Sequence, residues 1–452
     1  MWFRRDLRLH ENPAWAAATG ARPTVTALYV VDDRLWSSAG PYRRNQLAAD
    51  LAALDADLRR AGGRLLVRHG DPVDVVPAEV RRLGARSVHW NADVTPYATT
   101  RDAAVRAALG DVDVCTPYGH LVLPPGSVRT RDGHVPLVFG AFHRTWASTP
   151  WDPWPEVGDA TVTDEIGDAL PSADGPPPLP PGEDGAHAML QEFLDGGIDD
   201  YRARRDLPAD RGTSGLSAAL RFGTISPRQV VEAVGTVDDE RRAFVRQLAW
   251  RDWFAHLLAE HPSLPVRSMR PELDGIEWRK DPAGLEAWKA GRTGYPLVDA
   301  GMRELAQTGR MHNRVRMVAA SFLVKDLLID WRAGERHFRR LLVDGDVPQN
   351  VGNWQWVAGT GPDAAPYFRV FNPVAQSRTH DPSGVYLRRW VPELAGLDDQ
   401  SIHAPWEAGP LALAAAGVEL GASYPAPIVE HAEARSRAID AYRRARAAGA
   451  AR

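Results

Sequence analysis

The chain has 452 residues, of which 44% are hydrophobic and 25% are charged, and its formal net charge is −4. A chain of this length is too long for one ordinary domain, so we expect two or three domains. The composition excludes a disordered chain. The net charge excludes a globally basic nucleic-acid binder, so any contact with nucleic acid must come from a local group of arginines.

Cys115 is the only cysteine. A single thiol excludes a disulfide framework and any zinc or iron–sulfur site built from several cysteines, and we predict no metal site. The amino end carries charge without an apolar stretch behind it, and no segment is long and apolar enough to span a membrane. We therefore expect a cytoplasmic protein.

The first part of the chain alternates β-branched runs with amphipathic stretches. We predict strands in 25–33, 64–71 and 87–93, and helices from about 43 to 61 and near 75 to 83. This alternation indicates a doubly wound parallel sheet with helices on both faces. Ligands of such sheets bind at the carboxyl ends of the strands, but the sequence contains neither G-x-G-x-x-G nor a phosphate loop. A dinucleotide or ATP site is therefore not predicted in this part.

The composition changes after this α/β pattern. Residues 151–185 are rich in Pro, Gly and Asp, which indicates a connecting segment. Helical periodicity then continues almost without interruption, as in 239–260 and 314–331. The predicted fold class is α/β plus all-α, with an α/β domain at 1–125, a connector at 126–190, a helical domain at 191–440 and a short tail at 441–452.

A helix through 244–258 places one group of residues toward one side, because successive residues turn by about 100°. These residues are Gln247, Trp250, Arg251 and Phe254. By itself the pattern favours an ordinary core helix, in which Trp250 packs and Arg251 pairs with a carboxylate such as Asp252. The segment MHNRVRM (311–317) also has two interpretations. Its arginines can neutralise phosphates, or they can be solvated or salt-bridged at a helix start.

The segment 344–373 carries a stronger signal. It combines Asp344, Asp346, Asn350, Gly352, Trp354, Trp356 and a Gly-Thr-Gly turn. Glycines permit close backbone approach, while amides and acids supply donors and acceptors for a planar heterocycle. The chain also has 16 tryptophans, more than its 10 tyrosines or 11 phenylalanines.

Several long segments resemble one known family. They are GTSGLSAALRFGTISPRQV (212–230), WRDWF (250–254), GRTGYPLVDAGMREL (291–305), MHNRVRM, KDLLIDWRAGERHF (325–338), DGDVPQNVGNWQW (344–356) and TGPDAAPYFRVFNP (360–373). They resemble the flavin domain of DNA photolyases and cryptochromes, and WFRRDLRLHENPA (2–14) resembles the start of the antenna domain of that family. The resemblance runs in order to about residue 440 and is strongest to bacterial members that repair cyclobutane pyrimidine dimers.

The resemblance implies FAD bound in the helical domain. Tyr201 and the hydroxyls of Thr213, Ser214 and Ser217 are expected at its phosphates, where hydroxyls and free N–H groups at a helix start suit a pyrophosphate. The resemblance places further residues around the cofactor: Gln247, Trp250, Arg251, Asn313, Arg316, Asp344, Asp346 and Asn350. Among these, Asn350 faces the flavin N5 and Arg316 is the partner of Asp344.

The resemblance also implies a light-driven reaction on UV-damaged DNA. Trp354, Trp331 and Trp278 match the three indoles that pass an electron to the flavin in this family. Trp250 and Trp356 match the aromatic walls of the lesion pocket, which is lined further by Asn313, Arg314 and Met317. In photolyases as a class the dimer is flipped out of the duplex to reach the flavin. A monomer is expected.

Two positions depart from the family pattern. Gln247 replaces the glutamate that dimer-repair enzymes usually carry at the lesion, and Gly215 replaces a common arginine in the phosphate loop. Glutamine at that position also occurs among blue-light receptors, so a cryptochrome-type receptor with little repair activity is the alternative function. Repair of (6-4) photoproducts is not expected, because only His312 is available where those enzymes need paired histidines.

An antenna pigment is expected in the first domain. Members that use methenyltetrahydrofolate generally carry a glutamate in the stretch that here reads TPYATTRD (95–102), where Ala98 is found. We therefore favour 8-hydroxy-5-deazaflavin over the folate, with Asp93 and Tyr97 lining its pocket.

Overall fold

The structure, a computed structural model, describes residues 1–210, 212–363 and 369–450. These residues form two compact units, neither of which is continuous in sequence. The first comprises 1–199, 214–262 and 343–348, and the second comprises 200–213, 263–342 and 349–452. The linear domain boundaries that we expect from the sequence stay predictions.

Every strand of the described residues lies in the first unit. The strands are β1 (Trp2–Phe3), β2 (Thr24–Val25), β3 (Ala27–Val31), β4 (Leu65–His69), β5 (Ser87–His89), β6 (Asp113–Cys115) and β7 (Thr161–Val162). All pairings are parallel, in a sheet of order β1-β3-β4 and in the pairs β2-β7 and β5-β6. The parallel sheet that the alternating pattern predicts is confirmed.

Successive side chains of the central strands enter two different cores, because they point to opposite faces of the sheet. Phe3, Tyr29 and Val67 pack with residues of the helices at 13–21 and 41–60. Trp2 and Val30 pack into the other core, with residues of the helices at 72–83 and 96–109. The sheet is covered on both faces, which confirms the doubly wound arrangement.

The described helices follow in chain order. They are α1 (Pro13–Ala21), α2 (Asp33–Ser38), α3 (Pro41–Arg60), α4 (Pro72–Leu83), α5 (Pro96–Leu109), α6 (Phe139–Ser148), α7 (Gly182–Glu192), α8 (Tyr201–Arg204), α9 (Ser217–Phe222), α10 (Pro227–Val234), α11 (Asp239–Glu260), α12 (Pro282–Lys289), α13 (Pro296–Thr308), α14 (Asn313–Ser321), α15 (Trp331–Leu341), α16 (Val347–Ala358), α17 (Pro373–His380), α18 (Val385–Trp390), α19 (Pro410–Ala415) and α20 (His431–Ala450).

Many of these helices start at a polar cap followed by proline. The side chains of Asn12, Asp71 and Thr95 accept backbone N–H groups at the starts of α1, α4 and α5. Such a cap satisfies an N–H group that lacks a partner within the helix, and proline tolerates the first position because it has no N–H to satisfy. Local sequence therefore fixes where these helices begin.

The continuous helix predicted over 314–331 is wrong. α14 ends at Ser321, a π-helical turn follows at Phe322–Asp326, and α15 begins only at Trp331. Leu328 lies between them with a φ of 53°, and the Asp330 side chain caps α15. Apolar residues on both sides of the break keep the helical period, so hydrophobic spacing alone does not reveal the interruption.

The last described residues, 441–450, continue α20. Its Tyr442 is fully buried among Leu273, Ile276 and Leu328. Within the part of the chain that the structure describes, no helix combines the length and apolarity needed to cross a bilayer.

Candidate functional site

Two of the α11 residues that the sequence predicts on one side, Gln247 and Trp250, are both half-buried. Trp250 stacks on Phe139 of α6, with ring centroids 3.7 Å apart and planes 16° from parallel. Gln247 donates its Nε2 to the Ala243 carbonyl of its own helix at 3.0 Å. Among the described residues no donor contacts its Oε1, so an incoming group meets an amide oxygen unless the side chain turns.

Arg251 is directed into the first unit and is 8% exposed. It donates to the carbonyl oxygens of His120 and Leu220, the latter at 3.1 Å. Asp252 does not bind it directly, because the Asp252 carboxylate accepts two backbone N–H groups and the Nε1 of Trp146. Among the described residues, the direct pairing of Arg251 with Asp252 that an ordinary core helix suggests does not form.

Asp346 is the anion of a buried arginine cluster. Its Oδ1 lies 3.0 Å from the Nη2 of Arg5, which follows β1. Burial alone would raise the pKa of Asp346, but the charges of Arg5, Arg251 and Arg221 outweigh burial and lower it. The carboxylate is therefore held ionised. The place of Asp346 beside the flavin stays a prediction.

The predicted phosphate loop has a left-handed turn at its centre. Gly215 has a φ of 67°, a conformation in which a Cβ is strained. Ser217 is exposed at the start of α9, Thr213 is exposed, and the Ser214 Oγ accepts the Leu216 N–H at 3.4 Å. Gly215, where the sequence analysis expects an arginine in the family pattern, thus has a backbone conformation that favours glycine.

Tyr201, predicted beside the same phosphates, begins α8 and is 6% exposed. Burial raises the pKa of its hydroxyl, while the nearby Arg205 lowers it. The phenol stays neutral at physiological pH and can donate a hydrogen bond.

Asn350 lies on α16 and is 9% exposed. Its Nδ2 donates to both the carbonyl oxygen and the Oε1 of Glu335 on α15, at 2.9 and 3.0 Å. Within the described residues no donor reaches its Oδ1. Glu335 therefore orients the amide so that its oxygen is the atom left for a ligand, as a flavin N5 that carries a proton requires.

Two of the predicted relay indoles are fully buried around α15. Trp331 begins this helix, and Trp354 of α16 lies edge-on to Phe338, with ring centroids 5.0 Å apart. Gly334 lies one turn after Trp331, and a Cβ there would clash with the Trp354 ring. The missing side chain lets Trp354 pack directly on the backbone of α15.

Trp278, the third predicted indole, is half-buried and meets Tyr442 edge-on at 6.2 Å. Trp288, which the sequence does not assign to the relay, also touches Trp354, with ring centroids 6.2 Å apart. The order of electron transfer through Trp354, Trp331 and Trp278 stays a prediction.

The start of α14 carries the predicted lesion residues of the second unit. Arg314 pairs with Asp206 at 3.0 Å, and the exposed Asn313 contacts the sulfur of Met317 at 3.7 Å. Arg316 donates its Nε to the Met311 carbonyl at 2.8 Å.

Trp356, the second predicted aromatic wall, is half-buried on α16. The pairing of Arg316 with Asp344 and the contacts of all these residues with a lesion stay predictions. Within TGPDAAPYFRVFNP, residues 364–368 lie outside the described residues.

Polar side chains gather where β3 and β5 end. Asp32 caps α2, and the Tyr97 hydroxyl donates to it. Burial and the neighbouring Asp32 raise the pKa of Tyr97 to about 12. Burial alone would raise the pKa of Asp93. The positive charge of Arg5, whose Nη1 lies 3.4 Å from the carboxylate, is the largest of several effects that instead lower this pKa below the ordinary range. This edge of the sheet is where a ligand of a doubly wound domain is expected.

Sequence reasoning missed three residues that contact predicted site residues within their own units: Arg5 and Phe139 in the first unit and Glu335 in the second. Phe139 is 111 residues from Trp250, and Glu335 is 15 residues from Asn350. Phe139 lies outside the motifs quoted above, and Glu335 lies within KDLLIDWRAGERHF, which does not name Asn350 as its partner. Arg5 carried a signal, since it lies within WFRRDLRLHENPA, but nothing in that motif names Asp346 as its partner.

Comparisons with known proteins agree with this architecture. Residues 1–158 match a family model described as DNA photolyase, and residues 244–444 match one described as the FAD binding domain of DNA photolyase. A deoxyribodipyrimidine photo-lyase of Agrobacterium fabrum is 41% identical and covers 98% of this chain and 97% of its own length.

Two solved structures are similar throughout. A bacterial class III photolyase from Agrobacterium tumefaciens superposes with a TM-score of 0.92 at 39% identity, covering 98% of this chain and 96% of its own. A Synechocystis cryptochrome superposes with a TM-score of 0.89 at 30% identity, covering 97% of this chain and 98% of its own.

An α/β unit combined with a helical FAD-binding domain defines a class of two-part flavoproteins. With matches over nearly its whole length, this chain belongs to the DNA photolyase family.

The residues present fit FAD. The free oxygen of the buried Asn350 amide suits the edge of a flavin ring. The neutral phenol of Tyr201 and the exposed hydroxyl of Thr213, both in the same unit as Asn350, suit phosphates. These groups would hold the cofactor.

Proposed function

We propose that this protein is a deoxyribodipyrimidine photo-lyase that repairs cyclobutane pyrimidine dimers in DNA with light. The observation that carries the proposal is full-length similarity at 41% identity to a protein of that name. The geometry supports it, because a buried amide, an indole cluster and a stacked aromatic wall occur in one chain. When bound, FAD supplies the light-excited electron donor, and the reaction has no net redox change.

The protein groups have separate tasks in this proposal. Asn350, oriented by Glu335, presents its oxygen to the proton at the flavin N5. Trp250 can stack a flipped base on the face that Phe139 leaves open. Gln247 presents an amide oxygen beside that wall and can donate to a base carbonyl only if its amide turns away from Ala243.

The test is light-driven repair of a thymine-dimer oligonucleotide by purified, photoreduced protein, with a sample kept in the dark. We expect repair by the wild type in light alone. Gln247→Glu should increase the yield per absorbed photon, because a carboxyl group can supply the acidic proton that an amide lacks. Absence of light-driven repair in both proteins would contradict the proposed function.

The receptor function is the second candidate, and Gln247 is the residue that favours it. The similarity to a Synechocystis cryptochrome shows that the fold serves proteins of that name too. A receptor predicts bound flavin that responds to light, with no repair by the wild type. Repair by Gln247→Glu alone would show that this one residue separates the two functions.

The antenna pigment that we propose is 8-hydroxy-5-deazaflavin, bound at the edge where β3 and β5 end. The Asp32–Tyr97 hydrogen bond and the Arg5–Asp93 pair supply polar groups there, and Ala98 stands where folate-using members generally carry glutamate. Mass spectrometry of the pigments released on heating identifies the compound. Recovery of methenyltetrahydrofolate would contradict this assignment. Action as a monomer on UV-damaged DNA in the cytoplasm also stays a proposal.

A further inference from the structure

Arg246 is an exposed arginine without an acidic partner beside the predicted lesion wall. It lies on α11 one turn before Trp250, so the two side chains share a face of the helix. Among the described residues Arg246 forms no ion pair. Positions 242, 243, 249 and 250, its neighbours one turn away, are Arg, Ala, Ala and Trp, so the helix itself offers it no carboxylate.

The other exposed arginine of α11, Arg242, has an acidic partner. Arg242 pairs with Asp239 at 2.7 Å, one turn earlier on the same helix. On α6, His143 lies close enough to Arg246 for its charge to lower the pKa of the imidazole, which burial also lowers.

Arg246 is held in place by an aromatic ring. Its guanidinium carbon lies 5.0 Å from the centroid of Phe139, within range of a cation–π interaction. The same Phe139 ring is buried and stacks on Trp250 at 3.7 Å. Phe139 thus contacts both the guanidinium of Arg246 and the ring of Trp250, the predicted lesion wall. The cation–π contact leaves the N–H groups of the guanidinium available to an anion.

We propose that Arg246 binds a backbone phosphate of the DNA strand that carries the lesion, and so aligns that strand with the Trp250 wall. This inference rests on the proposed function. A phosphate is the group expected beside a stacked base, and arginine recognises it with two parallel hydrogen bonds. Such a contact adds affinity and register, and reads no sequence.

The test is the salt dependence of affinity for a dimer-containing duplex, measured by fluorescence anisotropy between 50 and 200 mM salt. Loss of one phosphate contact in Arg246→Gln should reduce the slope of log K against log salt by about 0.9. Across this fourfold salt range the variant should therefore lose about 3.5-fold less affinity than the wild type. Arg246→Lys, which retains the charge, should keep the wild-type slope.

Arg242→Gln is the matched control, because it removes the same charge from a paired arginine one turn away. It should bind with the wild-type slope and affinity. An unchanged slope in Arg246→Gln, or an equal reduction in Arg242→Gln, would overturn the assignment. Equal wild-type affinity for damaged and undamaged duplexes would instead contradict the proposed function, while the comparison of slopes still decides the role of Arg246.

Discussion

At the scale of single residues, Asn350 has a role that the sequence predicts and an orientation that only the structure shows. Its position in the 344–356 motif predicts a contact with the flavin, but the motif does not say which atom of the amide faces outward. Glu335 decides that by accepting from Nδ2, and Glu335 is itself only 3% exposed. Gly215 is a similar case, because its φ of 67°, which favours glycine, is visible only in the structure.

Asn350→Asp tests the pairing with Glu335. A carboxylate at position 350 would face the Glu335 carboxylate at about the present 3.0 Å separation, with no donor between them. We expect the free energy of unfolding at pH 8 to fall by about 1–3 kcal/mol, from the lost hydrogen bonds and the repulsion of like charges.

The loss should shrink as the pH falls toward 4, because protonation of either carboxyl group restores a donor. Urea unfolding across this pH range measures the effect. Asn353→Asp, at an exposed position of the same helix, should change stability by no more than about 0.5 kcal/mol. Equal losses in the two variants would show that Glu335 does not hold Asn350.

At the scale of elements, α3 is a helix predicted from its hydrophobic period that also holds another segment of the chain in place. Its Asn45, Gln46 and Asp50 are buried, and their side chains bind the backbone of the connector between residues 174 and 182. The composition of that connector predicts an irregular segment. It does not predict that the segment is held by polar groups of a helix more than 100 residues earlier.

Asp50 makes this attachment dependent on pH. Burial raises its pKa to about 7, although hydrogen bonds from Gly182 and Gln46 lower it in part. A carboxyl group whose pKa is higher in the folded state than in the unfolded chain reduces stability as the pH rises from about 4 to about 7. Asp50→Asn should remove this dependence, which amounts to about 4 kcal/mol at most.

The measurement is the difference in unfolding free energy between wild type and Asp50→Asn at pH 5 and pH 7.5. The variant should gain stability relative to the wild type at the higher pH. Asp111→Asn, at an exposed position, is the control and should show no such gain. A constant difference for Asp50→Asn would mean that Asp50 titrates as it does in the unfolded chain.

At the scale of the whole molecule, the predicted relay depends on three distant segments of the second unit. Trp278 precedes α12, Trp331 begins α15 and Trp354 lies on α16. Core packing alone does not require indoles at all three positions. Light-driven reduction of the flavin does, because phenylalanine is far harder to oxidise than tryptophan.

Trp331→Phe should abolish light-driven reduction of bound FAD while FAD still binds. Absorbance of the purified protein under blue light with an external reductant follows this reaction. Trp288→Phe is the control, since Trp288 touches Trp354 but lies outside the predicted relay, and it should still be reduced. Normal reduction in Trp331→Phe, or its loss in Trp288→Phe, would contradict the predicted route.

The sequence by itself determined the parallel α/β part, the helical part, the helix starts with a polar cap and proline, and the family. These features depend on residues close together in the chain, such as a cap and the N–H groups after it, or on motifs that occur in order. The tertiary structure alone decided the break between Asp326 and Trp331, the Arg5–Asp346 pair, the Phe139–Trp250 stack and the orientation of Asn350. The three pairings join groups that come together only when separate elements pack. The break interrupts a hydrophobic period that continues on both sides, so no local pattern encodes any of these features.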